Sequence, residues 1–204
     1  MIFSLFLGMV LSFLGQLPLG TMSYTATQIV VQENFRNAWK YSMGVALVEM
    51  IYLYGVLTGM HWIVKNPTLF TIFNWITVLI FLLLGVLGFI AAQKQEKSKK
   101  ALLLNNRLDR FLLGITMSAL NPAQIPFWFI WTAYFLNMGW LQANFASFNF
   151  FTIGSGLGTI CGLVVYMYGG NWLVIKMKTS NRTLNTWMGI IFILASIVQL
   201  YRVL

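Results

Sequence analysis

Six apolar runs separated by short basic gaps constrain this chain of 204 residues more than any other feature. They cover roughly 2–31, 38–64, 68–92, 111–136, 145–175 and 183–201, and a helix crossing a hydrocarbon core needs about 20 apolar residues. None shows the period-two alternation of a barrel strand of about 10 residues. With 59% hydrophobic and only 8% charged residues, the chain cannot cover a water-exposed surface, since soluble domains carry about 25% charge. The same balance excludes disorder, which needs low hydrophobicity. A single cysteine, Cys161, and a single histidine, His61, exclude disulfide scaffolds and zinc ribbons. The first run lacks a basic n-region and a small-residue cleavage site, so it reads as a span and not as a secretory signal.

The formal net charge of +9 is placed for topology, not for nucleic acid. If the six runs are six spans, the loops after spans one, three and five share a side. They carry Arg36, Lys40, Lys94, Lys97, Lys99, Lys100, Arg107, Arg110, Lys176, Lys178 and Arg182, eleven of the thirteen basic residues; Lys65 and Arg202 fall on the other side. Lys and Arg concentrate in cytoplasmic loops. The expectation is six spans with both termini periplasmic.

Two runs are too long for one straight helix. Thirty residues of helix extend about 45 Å against a core of about 30 Å. Leu17-Pro18-Leu19-Gly20 interrupts the first run and Asn121-Pro122-Ala123-Gln124-Ile125-Pro126 the fourth. Proline removes a backbone donor and clashes with the preceding turn. Gly44 precedes Glu49 by five residues in the second span, and Gly154 precedes Thr159 by five in the fifth. Three spans per half require opposite orientations. The expected fold is therefore all-α, with six transmembrane helices as two inverted three-helix repeats and the first and fourth helices broken. Residues 1–92 form one repeat, 93–107 a basic cytoplasmic linker and 108–204 the second repeat.

Glu49 is the sharpest chemical signal, the only acid inside a span. A carboxylate at bilayer depth costs several kcal/mol unless it is protonated, paired or hydrated, and such groups mark proton or substrate paths. A neutral structural role is the plainer reading beside it. Broken helices free backbone groups for a solute near the midplane. Pro18, Gly20, Thr21, Tyr24, Gln28, Asn121, Pro122 and Gln124 are the candidate substrate-binding residues, against the alternative of simple kinks. Gly44, Gly55, Gly59, Gly154, Gly158 and Gly162 have the spacing that lets helix backbones approach. No Walker motif or metal-ligand set is present, and a lone intramembrane acid cannot make an aspartyl dyad, so no enzyme, cofactor or metal is expected.

Three stretches together resemble the lysine exporter superfamily, which includes the homoserine/threonine-type exporters. They are Leu17-Pro18-Leu19-Gly20 leading to Thr27-Gln28; Gly44-Val45-Ala46-Leu47-Val48-Glu49; and Phe111-Leu112-Leu113-Gly114 leading to Asn121-Pro122. The family pattern has Gly-Pro at the first break, where this chain has Pro-Leu-Gly, and commonly Lys where this chain has Ala123. The resemblance implies proton-driven export of an amino acid or related metabolite across a bacterial inner membrane. A small ion or metabolite channel of the same superfamily is the alternative. The expected partners are a small-molecule solute and membrane lipid, with homodimer formation open and no nucleic acid.

Overall fold

The computed structural model describes residues 1–17, 20–64, 66–93, 108–121, 124–178 and 181–203. Pro18, Pro122 and all but Gln93 of the 93–107 linker lie outside that set. Among the described residues the regular structure is helical throughout: α1 Ile2–Gln16, α2 Thr21–Gln32, α3 Phe35–Val64, α4 Pro67–Gln93, α5 Arg110–Ala119, α6 Gln124–Asn137, α7 Phe145–Lys178 and α8 Asn181–Val203. The first apolar run is thus divided between α1 and α2, whose axes are bent by 77°, and the fourth between α5 and α6.

Helix starts are fixed by short polar side chains. Asn34, Asn66 and Asn144 each accept, through Oδ1, the backbone N–H three residues on, at 2.9, 3.3 and 2.8 Å. Asp109 accepts from the Phe111 N–H at 2.9 Å. Each satisfies a donor that a helix N-terminus leaves without an intrahelical partner.

The chain forms two compact units, each drawing on both halves of the sequence: Met1–Thr58 with Lys100–Ile175, and Gly59–Lys99 with Lys176–Leu204. In the first unit α3 and α7 run antiparallel. The Phe35 ring lies 4.9 Å from that of Tyr168, Ser42 Oγ donates to Met167 Sδ at 3.5 Å, and Glu49 lies farther along α3 toward the Thr159 level of α7. Ala26, Ile29, Tyr41, Val45 and Leu163 are fully buried between the helices. On the opposite faces Met43, Leu47 and Ile51 of α3 and Ile153, Leu157 and Val165 of α7 are exposed. These stripes carry no charge where a soluble helix would carry its polar face, so their solvent is hydrocarbon. By length and composition, α3 over Phe35–Met60 and α7 over Phe145–Gly169 suffice to cross a membrane, and the bent α1–α2 pair, a broken span or a re-entrant loop, adds a third if its two helices are one span.

Glycines set how closely these helices approach. A Cβ at Gly8 would overlap the Phe151 carbonyl oxygen, and one at Gly154 the Leu5 carbonyl oxygen. The α3–α5 contact has the same form, with Gly44 against the Phe111 carbonyl and Gly114 against the Tyr41 carbonyl. Gly158 meets Met9 in the same way. Gly55 and Gly59 do not act like this, because nothing lies within 4 Å of an added Cβ. Four-residue spacing provides a smooth face, but among the described residues no backbone lies opposite theirs.

In the second unit α4 and α8 are antiparallel. Gly85 and Gly189 face each other, Ser196 Oγ donates to the Val78 carbonyl at 3.0 Å, and Gln199 Nε2 donates to Asn74 Oδ1 at 3.1 Å.

At the start of α5, Arg110 makes a two-pronged ion pair with Glu33, which lies in the turn between α2 and α3. The Asn37 side chain also donates to Glu33, at 2.8 Å. The Arg110 hydrogen bond holds the Glu33 carboxyl below its ordinary value of 4.5. A depressed carboxyl stabilises the fold fully above its unfolded-state value, and the contribution is lost as pH falls through the folded-state value. Glu33→Gln should cost about 1.5–3 kcal/mol near neutral pH, as for a charge-assisted hydrogen bond. In thermal unfolding in detergent, the gap from the parent should narrow as the buffer is taken below about pH 4. A gap that stays constant on acidification would show that the charge of Glu33 contributes nothing.

Candidate functional site

Ser12 and Gln16, four residues apart, present one face of α1 to Glu49 of α3. Ser12 Oγ donates to Glu49 Oε1 at 2.8 Å and Gln16 Nε2 donates to Glu49 Oε2 at 3.2 Å. Ser12 Oγ is also 2.8 Å from Thr159 Oγ1 of α7, and Thr159 Oγ1 donates to the Ser155 carbonyl at 3.0 Å. Glu49 is 4% exposed and Ser12, Ser155 and Thr159 are buried. The α1–α7 glycine contacts put the two hydroxyls within reach of each other. Gly162 contributes differently, since a Cβ there would collide with the Gln16 Cβ. It leaves room for the side chain that reaches Glu49.

No Lys or Arg pairs with Glu49 among the described residues; the two ion pairs found there are Lys40–Asp109 and Arg110–Glu33. The carboxyl therefore rests on neutral donors alone, and hydrogen counting shows what they can do. Each hydroxyl has one proton to donate. With Glu49 ionised, Ser12 donates to Glu49 and Thr159 donates to Ser12. With Glu49 protonated, Glu49 donates to Ser12, Ser12 to Thr159, and Thr159 to the Ser155 carbonyl. The same oxygens, at the same separations, serve both charge states: the direction of the chain reverses, and Thr159 gives up the Ser155 carbonyl when it donates to Ser12. Three helices thus share a hydrogen-bond chain that registers one proton.

The breaks carry less open chemistry than a fully unwound helix would. Tyr166 OH donates to the Leu17 carbonyl, and Ser23 Oγ to the Gln16 carbonyl at 3.3 Å. Gly20 is extended at the N-cap of α2 and, like Thr21, exposed; Tyr24 and Gln28 are half-buried. The Thr21 carbonyl accepts from Thr25 Oγ1 at 2.7 Å. At the second break the Asn121 N–H bonds the Ser118 carbonyl, and Asn121 is half-buried. Gln124 is buried, and its Oε1 accepts from Ser118 Oγ at 3.2 Å. Ser118 also reaches the Val45 carbonyl, one turn from Glu49, at 3.4 Å. No hydrogen bond joins Glu49 directly to Gly20, Thr21, Tyr24, Gln28, Asn121 or Gln124.

Ser12 was not singled out from the sequence. It is one of several serines in apolar helix, and only the α1–α3 contact distinguishes it. Thr159 does carry a signal, as it follows Gly154 at the spacing that separates Glu49 from Gly44.

Comparison with the curated proteins and with the solved structures gave no match. The LysE type translocator family matches residues 13–202. An apolar helical chain, exposed hydrocarbon faces and a buried carboxyl with no ion-pair partner among the described residues agree with that match, and the chain belongs to the LysE type translocator family, as an integral membrane transporter.

Proposed function

We propose that this translocator is a secondary exporter of amino acids or related small metabolites, driven by protons through Glu49. The observation that carries the reading is the unpaired, buried carboxyl whose hydroxyl neighbours can serve both its charge states. Ionised Glu49 attracts an ammonium group, and low dielectric strengthens that attraction. A proton arriving at Glu49 removes the charge and releases the solute. Proton and solute therefore compete for one group, and the proton gradient moves the solute outward. Gly20, Thr21, Tyr24, Gln28, Asn121 and Gln124, with Pro18 and Pro122, would line the rest of the solute path at the two breaks. A carrier of this kind saturates and stops when an uncoupler is added. A steady conductance across a planar bilayer would contradict the proposal and favour a channel.

The proposed architecture is six spans in two inverted repeats, in a bacterial inner membrane. The glycine contacts support it. Leu5 and Gly8 of α1 map to Phe111 and Gly114 of α5 on adding 106, while Tyr41 and Gly44 of α3 map to Phe151 and Gly154 of α7 on adding 110. The α1–α7 and α3–α5 contacts are then equivalent, with the same two positions on each helix. Glu49 maps to Thr159 by the second offset, and the two are joined through Ser12. In the second unit, Gly85 and its partner Gly189 are 104 apart.

The proposed orientation has both termini in the periplasm, because it puts eleven of the thirteen basic residues on the cytoplasmic side. Single cysteines at Ser98 and Asn144, in a Cys161→Ala background, test this with a membrane-impermeant thiol reagent on intact cells. Labelling is expected at 144 and not at 98. The reverse pattern would invert the topology.

A further inference from the structure

The equivalence of the α1–α7 and α3–α5 contacts extends to the polar residues beside the glycines. Adding 106 carries Ser12 of α1 to Ser118 of α5, and subtracting 110 carries Ser155 and Thr159 of α7 to Val45 and Glu49 of α3. At the α1–α7 contact, Ser12 Oγ lies 2.8 Å from Thr159 Oγ1, which donates to the Ser155 carbonyl. At the α3–α5 contact, Ser118 Oγ reaches the Val45 carbonyl at 3.4 Å, the equivalent of the Ser155 carbonyl. No hydrogen bond joins Ser118 to Glu49, the equivalent of Thr159. Glu49 crosses instead to Ser12 and Gln16. Equivalent positions of the two halves thus hold different arrangements.

Ser118 has what a second partner for Glu49 requires. Its side chain is completely buried, and its one proton has two acceptors, the Val45 carbonyl at 3.4 Å and Gln124 Oε1 at 3.2 Å. Both separations exceed the usual O–H···O distance of about 2.7–2.8 Å, so neither acceptor holds it firmly. A helical side chain leans over the turn before it, which for Glu49 is the turn of Val45. Ser118 and Gln124 also repeat the chemistry of Ser12 and Gln16, a hydroxyl beside a primary amide. The first pair holds the carboxyl, and the second pair is bonded to itself. A hydroxyl donates to a carboxylate and accepts from a carboxylic acid, so the second pair also suits both charge states.

An inverted-repeat carrier opens to its two sides in turn as its halves move against each other. Exchanging the arrangements of the two halves generates the opposite-facing state from this one. We infer that Ser118 and Gln124 are the second seat of Glu49: Ser12 and Gln16 hold the carboxyl in the state described here, and Ser118 and Gln124 hold it in the state open to the other side. This rests on the inverted-repeat and export reading above. A carboxyl leaving Ser12 without a new partner would be stranded at bilayer depth, and the second seat removes that obstacle. Ser118 and Gln124 are positioning residues, which act on the solute through Glu49.

Exchange of labelled amino acids across vesicles holding the purified protein, without a pH gradient, tests the inference, with each standard amino acid as a probe. Ser118→Ala empties the second seat of its hydroxyl and leaves the first intact. It should lower the maximal exchange rate about ten- to a hundredfold, the worth of a hydrogen bond to a charged group. The half-saturating concentration and the melting temperature in detergent should be unchanged, because Ser12 and Gln16 still hold Glu49 and the bonds lost are long. In the Glu49→Gln background, where the seated group is neutral, adding Ser118→Ala should cost only about two- to tenfold. Gln124→Met, which keeps the length and removes the amide, should follow the same pattern. A parental exchange rate in Ser118→Ala overturns the second seat and leaves the Glu49 reading intact. Equal losses in the two backgrounds, or a lowered melting temperature in Ser118→Ala, also overturn it, because Ser118 would then join α5 to α3 without serving Glu49. If no amino acid exchanges in the parent, the export reading is overturned and the second seat with it.

Discussion

Glu49→Gln should reduce export driven by a pH gradient to the level of empty vesicles while the protein still folds and inserts. The amide keeps the shape of the carboxyl, and its oxygen can still accept from Ser12. Gln16 can turn its own carbonyl toward the new amide. What disappears is titration: the chain through Ser12 and Thr159 is left with one direction, and the ammonium group loses its counter-charge. Exchange of solute without a gradient depends only on passage, so part of it should survive. Gradient-driven export by the Gln variant at the parental rate and pH dependence would make Glu49 structural.

Gly154→Val should prevent stable folding, and Gly154→Ala should already cost about 1–3 kcal/mol, the usual penalty of overpacking. The collision is with the Leu5 carbonyl, a backbone atom that cannot rotate away. Separating α1 from α7 also pulls Ser12 from Thr159, so the alanine variant should lose transport out of proportion to its stability. Gly44→Ala should behave similarly through the Phe111 carbonyl. Gly55→Ala is the control: with open space at its Cβ, it should be neutral or slightly stabilising, since alanine favours helix by about 1 kcal/mol over glycine. Melting temperatures in detergent give the comparison, and equal losses at positions 55 and 154 would discredit the assignment of close contacts.

The features legible in the sequence were those with a one-dimensional cause. Apolar length gave helices, Pro18 and Pro122 marked where two of them stop, and an acid in an apolar run stood out because of its transfer cost. The helix starts at Asn34, Asn66, Asp109 and Asn144 also have a local cause, a capping side chain ahead of an apolar segment, but the sequence reading did not single them out. Partners were not legible. Gly55 and Gly154 have the same kind of spacing, yet only Gly154 has a backbone opposite it. Ser12 becomes important through α3 and α7, which no pattern in α1 encodes. Gln16 sits two residues ahead of Pro18, but its hydrogen bond runs to Glu49, in the space that Gly162 leaves open.

Proton-coupled export through this chain is tested most directly by uptake of a panel of labelled amino acids into inverted membrane vesicles, with and without an imposed pH gradient. Uptake here corresponds to export from the cell. The account predicts saturable accumulation of at least one amino acid when the vesicle interior is acidic, collapsing when an uncoupler is added. Accumulation that ignores the gradient and the uncoupler, or no accumulation of any amino acid by correctly inserted protein, would contradict it.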